Sequence, residues 1–242
     1  MTELEEYRAR FEECEHAFMA ATNTDDREEI RKEWKQVAAC VKYLKTPEKF
    51  YNDKYYKRHF EDYRVWEVRL GTYFAEKYEI ESVLDLGCGV GSYLEGFIRG
   101  GADKICGVEL CYDQIEPYII PILHPFIFKG DVTKISDLPI SGTQYDCAFS
   151  IEVAEHLLPE KTDLFIEHLA ASTDRKIIFT AAKPGQPGTG HINCRPKEEW
   201  IDMVTAHGFV HEKEETANDV EVIKLLGAPK YIQNNLMVFT RK

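Results

Sequence analysis

Three groups of residues in this 242-residue chain have types and spacings that could do chemistry. The first is Asp85-x-Gly87-x-Gly89-x-Gly91, directly after the apolar run that ends in Leu86. Glycine carries no Cβ and tolerates positive φ, so such a turn bends sharply and brings backbone N–H groups against a ligand. Asp85 ahead of the turn would repel a pyrophosphate but can accept hydrogen bonds from an ammonium group, directly or through water. The spacing also departs from the dinucleotide pattern G-x-G-x-x-G, whose third glycine would fall where Ser92 stands. The second group is Glu152-x-x-Glu155-His156, and the third is His191 in a loop of glycines and prolines. A neutral imidazole is a general base near neutral pH. Two carboxylates with imidazoles can instead hold a divalent cation that lowers the pKa of a hydroxyl. For His156 a plain hydrogen bond to a backbone carbonyl is the competing role.

Positioning these groups requires strands that end at them. Val83 to Leu86 is short, apolar and partly β-branched, and reads as a buried strand. Beyond Gly91, the residues Leu94, Phe97 and Ile98 share one helical face. Lys104 to Leu110 reads as a second strand carrying Glu109, where an acid can accept hydrogen bonds from ribose hydroxyls. Phe126 to Val132 reads as a third strand ending in Gly130-Asp131, and Tyr145 onward as a fourth running into Glu152 and His156.

In this order the motifs resemble those of the class I S-adenosylmethionine-dependent methyltransferases, over roughly residues 50 to 242. The resemblance implies an α/β, Rossmann-like fold with a mixed seven-stranded sheet and helices on both faces, and it implies S-adenosylmethionine as cofactor, leaving as S-adenosylhomocysteine. It places the cofactor against Asp85, Gly87, Cys88, Gly89, Gly91, Glu109, Leu110, Asp131, Val132, Ser150, Glu152 and Tyr55, with Asp131 at the adenine amino group. Similar aromatic segments to Phe50-Tyr51 through Tyr55-Tyr56 and Phe60 lie over the cofactor in relatives, where aromatic faces favour a sulfonium. Packing into the core is the competing role for these rings. The Glu-x-x-Glu-His segment also resembles one that supplies metal ligands in RNA 3′-terminal 2′-O-methyltransferases. On that reading Glu152, Glu155, His156 and His191 would form the ligand set, but the dense His-x-x-His segment of that family is missing. The expectation is a site without metal.

Ahead of this unit, Leu4, Tyr7, Phe11, Cys14 and Phe18 form one apolar helical stripe, and Ile30, Trp34, Val37, Val41 and Leu44 a second. Ala21 to Thr24 breaks the pattern, and Asp25 with Glu28 is expected to cap the second helix. Residues 1–45 thus read as a helical hairpin, ended by Thr46-Pro47, and 46–242 as the methyltransferase domain. The hairpin is either a structural cover, a lid or an arm for a homodimer.

After the fourth strand, Glu160 to Ala171 reads as a helix burying Leu164, Phe165 and Leu169, followed by a strand from Lys176. Leu138 to Gly142 reads as a surface loop. Trp200, Ile201 and Val204 mark another helix, stopped at Gly208. Phe209 to Glu215 and Asn235 to Thr240 are expected to pair as antiparallel strands. The polar residues His191, Asn193 and Arg195 are candidates to read substrate atoms, with Arg195 suited to a carboxylate or phosphate. A tether within the loop is the competing role for Arg195.

The net charge of −12 disfavours polyanionic partners such as nucleic acid or an anionic membrane surface. The acidic N-terminus is unlike a secretory signal, and no apolar run approaches the ~20 residues of a membrane helix. Seven scattered cysteines read as reduced core thiols, pointing to the cytoplasm. Taken together, the expected function is O-methylation of a small polar metabolite or sugar, with His191 or His156 as base. The alternatives are metal-assisted 2′-O-methylation of RNA and a noncatalytic module that binds S-adenosylmethionine.

Overall fold

The computed structural model describes residues 2–21, 23–45, 52–138 and 140–242, apart from the side chains at 43 and 136. Thr22, Thr46-Pro47, the Phe50-Tyr51 pair and Pro139 of the 138–142 loop therefore lie outside the described residues.

The chain begins with α1 (Glu3–Ala20) and α2 (Thr24–Lys45). Thr2 and Glu5 form a reciprocal cap on α1. The cap of α2 is Asn23, whose Oδ1 accepts from the Asp26 N–H at 2.8 Å, and not the expected Asp25, which lies inside the helix. An asparagine just before the helix satisfies an orphan amide of the first turn that an aspartate already inside the helix does not reach.

Next come α3 (Asp53–Arg58), a π-helical turn (His59–Tyr63) and α4 (Arg64–Tyr78). The core unit is then β1 (Ser82–Leu86), α5 (Ser92–Arg99), β2 (Lys104–Glu109), α6 (Tyr112–Ile115), β3 (Ile127–Lys129), β4 (Tyr145–Ile151), α7 (Thr162–Ala171), β5 (Thr173–Thr180), α8 (Lys197–Ala206), β6 (Phe209–His211), α9 (Lys213–Leu225), α10 (Lys230–Asn235) and β7 (Met237–Arg241). The strands form one sheet in the order β3-β2-β1-β4-β5-β7-β6. β1 to β5 pair in parallel, and β7 runs antiparallel to β5 and β6.

Alternation along the strands explains the two cores. Val83, Cys147 and Phe149 face one side with Leu70 and Phe74 of α4, Phe97 of α5 and Ile223 of α9. Leu84, Leu86 and Ala148 face the other with Phe165 of α7 and Trp200 of α8. Helices cover both faces, as a buried parallel sheet requires. α4 and α5 touch at glycines: a Cβ on Gly96 would stand 2.3 Å from the Val68 carbonyl oxygen.

Two expectations are corrected. Leu164 is 38% exposed, because the buried stripe of α7 runs through Phe165, Ile166, Leu169 and Ala170, about 100° around the helix from it. The strand expected over Phe209 to Glu215 ends at His211, and Lys213 to Glu215 open α9, whose N-terminal turn favours the acids Glu214 and Glu215.

The hairpin packs on its own chain. Tyr7, Cys14, Val37, Cys40 and Val41 form one cluster with Leu158 and Ile192. The Tyr7 hydroxyl donates to Glu160 at 2.5 Å, and Lys161 pairs with Glu3 at 3.2 Å. Among the described residues no helix is long and apolar enough to cross a membrane, and all seven cysteines are free thiols.

Candidate functional site

The strand order reverses between β1 and β4, and in open α/β sheets ligands bind at that switch beyond the carboxyl ends of the strands. A cavity of about 550 Å3 lies there. Of the residues assigned to the cofactor, Asp85, Gly87, Cys88, Gly89, Glu109, Leu110, Asp131, Val132, Glu152 and Tyr55 line it. Gly91 and Ser150 do not. Gly91 is the residue before α5, at φ +81°, and the Ser150 hydroxyl donates to the Leu86 carbonyl at 2.7 Å, tying β4 to β1.

The turn after β1 is held from β2. Glu109 accepts from the Gly89 N–H at 3.1 Å and from the Cys111 N–H at 2.8 Å, so one carboxylate fixes two loops. Burial nevertheless holds its pKa above the usual carboxylate value. Asp85 is 1% exposed, and its Oδ2 has no hydrogen-bond partner. Burial, then the charges of Glu109 and Glu67, push its carboxyl well above the usual range. A Cβ on Gly89, at φ +52°, would project into open space, whereas one on Gly87 would strike Val153 at 2.4 Å. An orphaned carboxylate oxygen beside an open glycine cradle fits a ligand that brings an ammonium group close to the backbone. Asp131 is already half engaged, its Oδ1 accepting from the Thr133 N–H and hydroxyl at 2.9 and 2.7 Å.

The second wall follows β4. Glu152 sits at φ +56°, a left-handed conformation that costs a non-glycine residue about 1 kcal/mol or more. Its N–H donates to the Thr180 hydroxyl at 2.9 Å, and its carboxylate accepts from Gln186 at 2.6 Å and Asn235 at 3.0 Å. The loop after β5 and the end of α10 therefore meet at Glu152. Gln186 and Asn235 escaped sequence reasoning because neither belongs to a motif, although Gln186 stands in the Gly/Pro loop already singled out.

His156 and His191 converge, with ring centroids 4.9 Å apart. His156 Nδ1 lies 3.0 Å from the Gly190 carbonyl, which makes it the proton-bearing nitrogen. Burial, with His191 adding, lowers the His156 pKa to about 4, and burial also lowers that of His191. Beneath them Glu155 is fully buried, with both carboxylate oxygens unpartnered and Oε1 3.8 Å from His191 Nε2. Burial, then Glu152, pushes its carboxyl well above the usual range. One ligand atom each from Glu155, His156 and His191 falls within 4.8 Å of the others, a grouping that suits a divalent cation. Glu152, the fourth member of the alternative metal set, is taken up by the Gln186 and Asn235 amides.

Asn193 and Arg195 are not positioned to read a substrate. Asn193 is 3% exposed and donates to Thr162 at 2.7 Å, while Arg195 donates to the Asn193 oxygen at 3.0 Å and lies over Trp200. Arg195 is thus a tether, because the chain after Ile192 turns inward to pack on α7 and α8. The opposite wall is aromatic. The π-helical turn brings His59 against Tyr55 at 4.5 Å and Tyr63 at 4.7 Å, and Trp66 and Tyr231 complete this side.

Residues 56–214 match the family described as a methyltransferase domain. The chain belongs to the class I S-adenosylmethionine-dependent methyltransferases. Solved structures agree on the Rossmann-like methyltransferase fold. A sugar N-methyltransferase from a Streptoalloteichus species is 14% identical, with 78% of this chain and 92% of that chain covered and a TM-score of 0.55. An S-adenosylmethionine-bound amino pentose methyltransferase from Micromonospora echinaspora is 14% identical, with 73% and 92% covered and a TM-score of 0.53. A small RNA methyltransferase is 14% identical, with 72% of this chain but 25% of that one covered and a TM-score of 0.52. No curated protein sequence matches the chain.

Proposed function

We propose that this methyltransferase acts on a hydroxyl of a small polar molecule, with His191 as general base. The observation that carries this reading is the convergence of two imidazoles on the cavity with lowered pKa values, which leaves both neutral and able to accept a proton at neutral pH.

S-adenosylmethionine supplies an electrophilic methyl carbon on a sulfonium. In this reading Asp85 would receive its ammonium group, the Gly87–Gly89 turn would admit its backbone side, Glu109 would take ribose hydroxyls, and Leu110, Asp131 and Val132 would hold the adenine. Tyr55 covers it and helps exclude water, while Glu152 anchors the loop that carries Gln186. Transfer would break the sulfur–methyl bond as the acceptor oxygen bonds to the methyl carbon, with S-adenosylhomocysteine leaving and His191 taking the hydroxyl proton. His191 Nδ1 lies 3.3 Å from the Gln186 carbonyl, which leaves Nε2 as the accepting nitrogen, and Glu155 lies 3.8 Å from that same atom. His156 is the weaker base, its pKa being lowered further.

The test is turnover of tritiated S-adenosylmethionine against a panel of hydroxyl-bearing metabolites, then His191→Asn with the acceptor found. Loss of the base should lower kcat by about 10²- to 10⁴-fold while cofactor affinity changes little. An unchanged kcat would refute the assignment. A second reading, metal-assisted methylation of an RNA ribose, is favoured by the Glu155, His156 and His191 grouping alone. Manganese binding abolished by Glu155→Gln, with metal-dependent turnover on RNA, would replace the first reading with the second.

A further inference from the structure

One buried carboxylate in the cavity has no part in holding the cofactor or anchoring a loop. Glu67 of α4 is 7% exposed and lines the cavity, yet it accepts no hydrogen bond among the described residues. His59 Nδ1 stands 3.8 Å from its Oε1. His59 packs on Tyr63 and Tyr63 on Trp66, and Tyr63, Trp66 and Tyr231 line the same cavity. Burial raises the Tyr231 phenol above its usual pKa, with Tyr63, Glu152 and Glu67 adding to the shift.

The charge balance of the lining is one-sided. Asp85, Glu109 and Asp131 belong to the strand ends, and Glu67 and Glu152 to the other wall. Arg58 is the one arginine or lysine among the lining residues, and it reaches outward to Asp62 at 3.4 Å. His156 and His191 add no positive charge, being held neutral. A carboxylate or phosphate on the acceptor would meet the like charge of Glu67, offset at most by the His59 imidazole at 3.8 Å. An ammonium group would instead give Glu67 the hydrogen-bond donor it lacks and gain from the aromatic faces.

We propose that the acceptor is an amino alcohol, seated with its ammonium group between Glu67 and the Tyr63, Trp66 and Tyr231 wall, and its hydroxyl toward His191. The hydroxyl half of this statement rests on the O-methylation reading above. The ammonium half rests on Glu67 and its surroundings.

Equilibrium binding to protein saturated with S-adenosylhomocysteine tests it, read by protein NMR titration. The probes are trans-2-aminocyclohexanol, trans-1,2-cyclohexanediol and trans-2-hydroxycyclohexanecarboxylate, which share a ring and a hydroxyl and differ in charge. The amino alcohol should bind about tenfold or more tightly than the diol, as one charge-assisted contact allows, and the carboxylate most weakly. Glu67→Gln, nearly isosteric, should bring the amino alcohol to the level of the diol without weakening S-adenosylhomocysteine binding. Equal binding of the three probes, preference for the carboxylate, or no binding of the amino alcohol overturns the proposal. So does a Glu67→Gln variant that folds but loses S-adenosylhomocysteine, since Glu67 would then serve the cofactor beside Asp85. Binding does not involve the base, so these outcomes leave the role of His191 standing. A product methylated on nitrogen refutes both O-methylation and this seating, because the nitrogen would then reach the methyl group as a free amine.

Discussion

Asp85 should couple cofactor binding to proton release. Its carboxyl is 1% exposed, lacks a partner on Oδ2 and has its pKa raised well above the usual value by burial, then by Glu109 and Glu67. In the free protein it therefore keeps a proton at pH values where an exposed aspartate has lost one. Binding an ammonium group favours the carboxylate, so the proton leaves as the cofactor enters. Affinity should rise with pH up to the free-state pKa of Asp85, with a limiting slope of about tenfold per pH unit if coupling is complete. Calorimetry of S-adenosylmethionine binding in phosphate and in Tris should report that proton through the difference in apparent enthalpy. Asp85→Asn should flatten the slope and weaken binding by about 10- to 150-fold, the equivalent of about 1.5–3 kcal/mol for a hydrogen bond to a charged group. The same shift has a stability consequence. Because the folded pKa is raised, the native state binds more protons than the unfolded one, and this contribution is lost as pH rises from about 4 through the folded pKa. Unliganded Asp85→Asn should therefore melt at or above the wild-type temperature at neutral pH, separating lost binding from lost folding. A variant that folds and binds with wild-type affinity and an unchanged pH slope would refute the reasoning.

Further outcomes are open to measurement. Gly89→Ala should fold with a loss of about 1 kcal/mol for its positive φ and lose S-adenosylmethionine binding, because its Cβ enters the cavity. Gly96→Ala should instead lower the melting temperature strongly, because its Cβ would meet backbone of α4 at 2.3 Å. His156 should stay neutral in an NMR titration down to about pH 4, and since its folded pKa is depressed its contribution to stability should fade as pH drops from about 6.5 through that value. Tyr7→Phe removes a hydroxyl that donates to Glu160, so hydrogen exchange should quicken in residues 154–162 and 190–195 by the equivalent of about 0.5–1.5 kcal/mol, with little change around β1. Uniform exchange across the chain would count against the hairpin bracing those loops.

Features set by neighbours along the chain were legible in the sequence. Strand alternation, the helical stripes and the glycine turn after Asp85 depend on periodicity and backbone freedom, which a linear pattern displays. Adjacent residues still misled where one position decides the outcome. Leu164 is apolar but one residue off the buried stripe, and Asn23 caps α2 because it stands just before the helix that already contains Asp25. Convergence across the fold was decided only in three dimensions. Glu152, Gln186 and Asn235 come from three separated segments and meet because the loop after β5 and the end of α10 reach the same end of the sheet. Glu67 belongs to a helix with no motif, and nothing in its sequence neighbours shows that it faces Asp85 across a cavity. Arg195 looked suited to an anion until Asn193 and Trp200 proved to be its partners. The sequence by itself determined the sheet, the turn and the residues available for chemistry, because those follow from local pattern. Which charges stand unpaired, and hence what the cavity can hold, was decided by tertiary packing, since burial and long-range partners set the cost of each charge.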